Sequence, residues 1–154
     1  MARKFPKAKA ATPYVRFMNQ YTGIKNTYGN IESSQIRKDC FEVVMNITPS
    51  ENSATYKVRI AYRIGYKPRA ILLSPDLKKR DGEYPHHIYG FDKAGHAILC
   101  VYCPHKNEWN SNMPIATSFI PWVSTWLNTY EYWLITGEWH YDEVLVEDEE
   151  KFEP

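Results

Sequence analysis

The side chains of this sequence best suited to nucleophilic or metal chemistry are three cysteines and five histidines, and all but Cys40 and His140 are clustered. His86, His87, His96 and His105 fall within a span of 20 residues, with Cys100 and Cys103 among them. A thiol is a weak nucleophile until it ionises, and a neighbouring imidazolium or ammonium lowers its pKa. Three readings follow. In the first, Cys100 is a nucleophile, exposed at the edge of a helix-backed sheet, whose surroundings are arranged by the loop before it. In the second, Cys100-Val101-Tyr102-Cys103 is a redox or zinc pair, with His96 and one of His86, His87 or His105 completing four ligands. A redox pair wants a helix N-terminus after its first cysteine, whereas this pair lies in or after an extended apolar run, and a single Cys-x-x-Cys is a weak zinc signal. In the third, the histidines decorate a surface loop and both cysteines are structural. Cys40 stands at the head of a strand and reads as a small buried hydrophobe.

Periodicity predicts the elements that must hold this cluster. Residues 1–12 read as a disordered basic tail, and 13–21 as a short helix with Pro13 in its first turn. Residues 22–35 are rich in Gly, Asn and Ser and predict a loop or an irregular strand. In 41–47, Phe41, Val43, Met45 and Ile47 alternate with Glu42, Val44 and Asn46, which is a strand with one apolar face. In 56–64, Tyr56, Val58, Ile60, Tyr62 and Ile64 alternate with Lys57, Arg59, Ala61 and Arg63, which is a strand with a wet basic face. Gly65 to Pro68 turns the chain into a third strand at 70–73. Periodicity then vanishes from Asp76 to about His96, a loop long enough to suggest function. The apolar run 97–102 follows. In 121–136, Trp122, Val123, Trp126, Leu127, Tyr130, Trp133 and Leu134 lie within an arc of about 140° on a helix, with Gly137 placed to end it. The stripe must press on the sheet, so the predicted class is α+β: an antiparallel meander packed on a C-terminal helix, with a short N-terminal helix.

A chain of 154 residues suits one domain. We read 13–141 as that domain and 142–154, with seven acids against Lys151, as an acidic tail. A net charge of +1 gives no case for binding nucleic acid or membranes. No apolar run reaches the roughly 18–20 residues of a membrane span, and the basic start lacks the apolar stretch of a signal peptide, so a cytoplasmic protein is expected. An odd, small number of cysteines argues against a disulfide scaffold. Aromatic residues make up 15% of the chain, a supply for both core and recognition surfaces.

The order of features from Phe41 to Trp139 resembles the ubiquitin-conjugating (UBC-fold) superfamily. Gly65-Tyr66-Lys67-Pro68 looks like the segment leading into that family's third strand. Pro85-His86-His87-Ile88-Tyr89 resembles its His-Pro-Asn loop. Gly95, Ile98, Leu99 and Cys100 resemble its active-site stretch, and Trp109 matches the tryptophan that follows the active cysteine. A closer resemblance is to the stand-alone conjugating-enzyme-like protein of bacterial cyclic-oligonucleotide antiphage (CBASS) operons. It is carried by His87-Ile88-Tyr89, Leu99-Cys100-Val101-Tyr102, Glu108-Trp109, and Pro121-Trp122 through Trp126-Leu127, Tyr130-Glu131, Trp133-Leu134, Thr136-Gly137 and Trp139.

The resemblance implies a cysteine-dependent acyl transferase with Cys100 and His87 as catalytic residues and with no cofactor or metal. Its cargo would be the C-terminus of a cGAS-like nucleotidyltransferase or a ubiquitin-like protein, passed from Cys100 to an amine. The sequence departs from the superfamily in lacking the asparagine of its His-Pro-Asn motif, since Ile88 and Tyr89 follow His87. The developing oxyanion would then take a backbone N–H near Cys100 or the His87 side chain. Asp76, Asp81 and Glu108 are candidates to deprotonate the amine. The chain has no Gly-rich phosphate loop followed by Lys-Ser/Thr, so a separate activating enzyme is implied. The alternatives are a catalytically inactive binding module of the same fold and a small zinc-binding protein.

Overall fold

The structure is a computed structural model that describes residues 12–102 and 108–140. The two tails expected at 1–12 and 142–154 lie outside the described residues, apart from Thr12. Helix α1 spans Pro13–Thr27, followed by strands β1 (Ile31–Ile36), β2 (Cys40–Ile47), β3 (Tyr56–Arg63), β4 (Arg69–Ser74), β5 (Ile88–Phe91) and β6 (Ala97–Leu99), then helix α2 (Phe119–Thr136). The strands form one antiparallel sheet in the order β1-β2-β3-β4-β6-β5. The α+β class read from the sequence is the class observed.

Alternation in β2 and β3 decides which face of the sheet is covered. Phe41, Val43, Met45 and Ile47 are buried on one face, together with Tyr56, Val58, Ile60 and Tyr62. Both helices lie there. Phe17 of α1 packs on Phe41 and Tyr62 at centroid distances of 5.5 and 6.2 Å, and Tyr56 meets Tyr130 of α2 edge-on at 6.4 Å. The basic positions of β3 face the other way and pair across strands: Lys57 with Glu32, Arg59 with Glu42, and Arg63 with Asp39. These partly exposed pairs keep the outer face wet and contribute little to stability.

Helix α1 runs six residues beyond its predicted end, into the stretch predicted as loop. Thr12 caps it, accepting a hydrogen bond from Val15 N at 3.2 Å. The extension brings Ile24 to complete a buried stripe with Phe17 and Gln20. Burying that stripe outweighs the modest cost of Gly23 and Asn26 inside a helix. Strand β1 then forms where the sequence allowed an irregular one, held as an edge by its ladder to β2.

The long aperiodic stretch is also more ordered than expected. Arg80 and Glu83 exchange backbone hydrogen bonds at 2.8 and 3.1 Å, and the residues between them, Asp81 and Gly82, have φ of 52° and 81°. That is a tight Asp-Gly reversal of the type favoured in hairpins. Lys78 N donates to Tyr130 Oη at 2.7 Å, which ties this stretch to α2. Strand β5 forms farther along the same stretch.

Helix α2 starts at Phe119, two residues before the predicted start, and buries Phe119, Ile120, Val123, Trp126, Leu127 and Tyr130. Trp122, Trp133 and Leu134 flank that stripe as partly buried neighbours. Gly137 takes φ 77° and donates its N–H to Trp133 O at 2.8 Å, the left-handed helix end its position predicted.

One buried side chain joins the first helix to the chain before the second. Gln20, 7% exposed, accepts from Ile115 N at 2.7 Å and donates to Met113 O at 2.8 Å. Gln20→Leu leaves both backbone groups without this partner, and we expect a loss of about 2 kcal/mol in urea denaturation. A loss below about 0.5 kcal/mol would mean that water replaces the amide freely.

Candidate functional site

The β5–β6 hairpin brings the two predicted catalytic residues together. Its turn is set by Asp92, whose Oδ1 accepts from Ala94 N at 3.0 Å and His96 N at 2.8 Å. Those bonds hold the Asp92 carboxyl below its ordinary pKa, the His96 amide contributing most. A register shift falls between Ile88 and Phe91, where Gly90 has φ 106°. Beyond the shift Ile88 pairs with Leu99, and Cys100 N donates to His87 O at 3.0 Å. Cys100 and His87 are thus direct neighbours across the two strands.

His87 is enclosed by aromatic side chains of α2 and the residues just after it. Its ring stacks on Trp139 at a centroid distance of 4.6 Å and an interplanar angle of 26°. Trp139 meets Trp126 edge-on at 5.2 Å, and Trp126 Nε1 donates to the His87 carbonyl at 2.9 Å. One carbonyl therefore accepts from both Cys100 and Trp126. Burial lowers the pKa of His87 from 6.5 to about 4, with a smaller push from His86. The ring is neutral at pH 7, so it supplies no positive charge to ionise the thiol. A neutral imidazole still has one N–H to donate.

The sulfur is more enclosed than expected. Cys100 is 5% exposed, where the sequence led us to expect an exposed thiol at a sheet edge. Its thiol points to Tyr102 O at 3.9 Å. Tyr102 is itself buried, meets Phe119 edge-on at 5.8 Å, and donates its hydroxyl to Pro68 O at 3.3 Å. Lys67 Nζ lies 5.8 Å from the centre of that ring. Burial raises the Tyr102 phenol far above its ordinary pKa, with Cys100 adding to the shift.

The other predicted residues are elsewhere. His96 lies at the opposite end of β6 from Cys100, 3.7 Å from Asp92 Oδ2. His86 is exposed beside Glu83. Cys40 is only partly buried and lines an open cleft of about 360 Å³ with Arg63, Tyr66 and Lys67. Asp81 sits in its reversal, exposed, 3.2 Å from Arg80. Trp109 is buried against Tyr62 at 5.7 Å and donates Nε1 to Ser118 Oγ. Among the described residues no group of three or more His, Cys, Asp or Glu could hold a metal ion. Cys103 and His105, which the zinc reading used, lie outside those residues.

Helical periodicity places Trp126 only in a core stripe, and nothing in it connects Trp139 with His87. The signal available was Gly137: a helix that ends in a left-handed turn sends the following residues back along its flank. Arg80 lies against that turn, and a Cβ on Gly137 would meet its guanidinium at 3.0–3.1 Å.

A sheet backed on one face by helices, with a cysteine and a buried histidine adjoining at the end of an inner strand, defines a thiol-bearing α+β domain. The chain belongs to the Type II CBASS E2 protein family, which it matches over residues 20–146. No curated protein matches it. Membership gives it a conjugating-type role in CBASS antiphage defence, in company with other CBASS proteins. Among the described residues no helix is long and apolar enough to cross a membrane.

The depressed pKa of His87 has a sign that can be measured. Between pH 6.5 and about 4 the unfolded chain holds a proton that the folded chain refuses. Stability contributed by the neutral ring is therefore present above pH 6.5 and is lost as pH falls through that window, by about 3 kcal/mol. Proton NMR titration should place the His87 ring near pH 4, and His87→Gln should flatten the acid limb of the stability curve. A His87 titrating at 6 or above would refute the assignment.

Proposed function

We propose that this protein is a ubiquitin-conjugating-like transferase that carries a protein C-terminus as a thioester on Cys100 and passes it to an amine. The cargo is that of a CBASS nucleotidyltransferase, made reactive by a separate activating enzyme. The observation that carries the reading is the pairing of Cys100 with His87 at the end of β6, and the family membership supports it.

Two steps suffice. The Cys100 sulfur attacks the carbonyl carbon of an activated C-terminus; an S–C bond forms, the activating group leaves, and the thiol proton passes to solvent or to the leaving group. An amine then attacks the thioester; an N–C bond forms, the C–S bond breaks, and the sulfur leaves as thiolate, which takes up the proton the amine loses. Each step puts negative charge on the carbonyl oxygen, so a preorganised donor lowers the barrier. Cys100 N–H is already committed to His87 O, which removes it from the available donors. The N–H of the neutral His87 ring is the donor this reading assigns to that oxygen.

The low exposure of Cys100 favours a second reading, a non-catalytic module of the same fold that docks its partners. The two are separated by incubating the protein with a peptide thioester that carries the C-terminal sequence of the nucleotidyltransferase encoded in the same operon, so that no activating enzyme is needed. Transferase action gives an adduct seen by intact mass and released by dithiothreitol. Cys100→Ala abolishes it, Cys40→Ala retains it, and His87→Ala slows it about a hundredfold, the scale of a lost oxyanion donor. A wild-type chain that forms no adduct, or a Cys100→Ala chain that still forms a thiol-labile one, sinks the transferase reading.

A further inference from the structure

Trp139 comes from beyond the end of α2, yet its indole lies flat on the His87 ring at 4.6 Å. We infer that Trp139 is a positioning residue: with Trp126 it fixes the imidazole of His87 and so holds the site in reacting geometry. The inference rests on the transferase reading given above.

The two tryptophans act on different parts of the same residue. Trp126 Nε1 binds the His87 carbonyl at 2.9 Å, the carbonyl that also accepts Cys100 N–H at 3.0 Å. It thereby pins the backbone junction of the two site residues to α2. Trp126 is fully buried, so this bond is shielded from water and costly to leave unmade. Trp139 acts on the side chain, because a ring stacked on an imidazole restricts its χ angles. Trp139 is held in turn by Trp126 at 5.2 Å and Trp133 at 6.5 Å. The reversal at Gly137 is what returns Trp139 to this flank of the helix.

Such an arrangement matters because a donor must already point at the oxyanion when charge develops. A displacement of about 1 Å can cost about a hundredfold in rate. The indole also keeps water from the ring, which agrees with the low pKa of His87.

The test uses the full chain and the same peptide thioester. Trp139→Ala should form the adduct about tenfold more slowly, and Trp139→Phe, which keeps an aromatic face, should recover most of the rate. In the His87→Ala background Trp139→Ala should have no further effect, since a residue acting through His87 has nothing left to position. The His87 ring protons should lose the upfield ring-current shift in Trp139→Ala, a change that mere loss of stability does not produce. If Trp139→Ala unfolds, the Phe variant and a Trp139→Leu variant carry the same comparison. Wild-type rates in folded variants without the aromatic face, or equal losses with and without His87, overturn the positioning role alone. A wild-type chain that forms no adduct overturns the transferase reading, and this role with it.

Discussion

A single carbonyl oxygen organises this end of the protein. The His87 C=O receives the amide of Cys100 from the neighbouring strand and the indole N–H of Trp126 from the helix above. It therefore joins three segments that the chain visits at widely separated points. Removing either donor would leave a buried acceptor short of a partner. The hairpin, the helix and the thiol consequently hold one another in place.

The electrostatics of the site differ from those of a thiolate–imidazolium pair. Burial favours the uncharged form of the histidine, and the cysteine beside it is more enclosed still. The neutral ring brings no positive charge to the sulfur beside it. Any catalytic advantage would lie in dipoles fixed in advance among buried side chains, where they act more strongly than in water.

Much of the scaffold was legible because its residues repeat with the period of their element. The alternation of Phe41 to Ile47 and of Tyr56 to Tyr62, and the aromatic stripe from Trp122 to Leu134, are each visible without tertiary information. The second half of α1 was not, because Gly23 and Asn26 argue against a helix and only the docking of Ile24 overrules them. Strand β1 was ambiguous because an edge strand with Glu32, Ser33, Ser34 and Gln35 has no apolar face to reveal it. The Asp81-Gly82 reversal and β5 were hidden inside a stretch read as loop, although Asp-Gly is itself a turn signal. Of the site, the Cys100–His87 pairing was reached through motif resemblance. The burial of the sulfur and the neutrality of the ring depend on what packs over them, which no local pattern encodes.

The order of the elements along the chain has a consequence for synthesis. Cys100 and His87 emerge from the ribosome before α2 and the Gly137 turn do, and domains form from the N-terminal side as they are made. Until that helix arrives, the nascent hairpin has neither the indole bond on its carbonyl nor the aromatic cover on its histidine. The surroundings of Cys100 and His87 are thus completed late, and a product truncated before Trp126 would retain both residues without the side chains that enclose them.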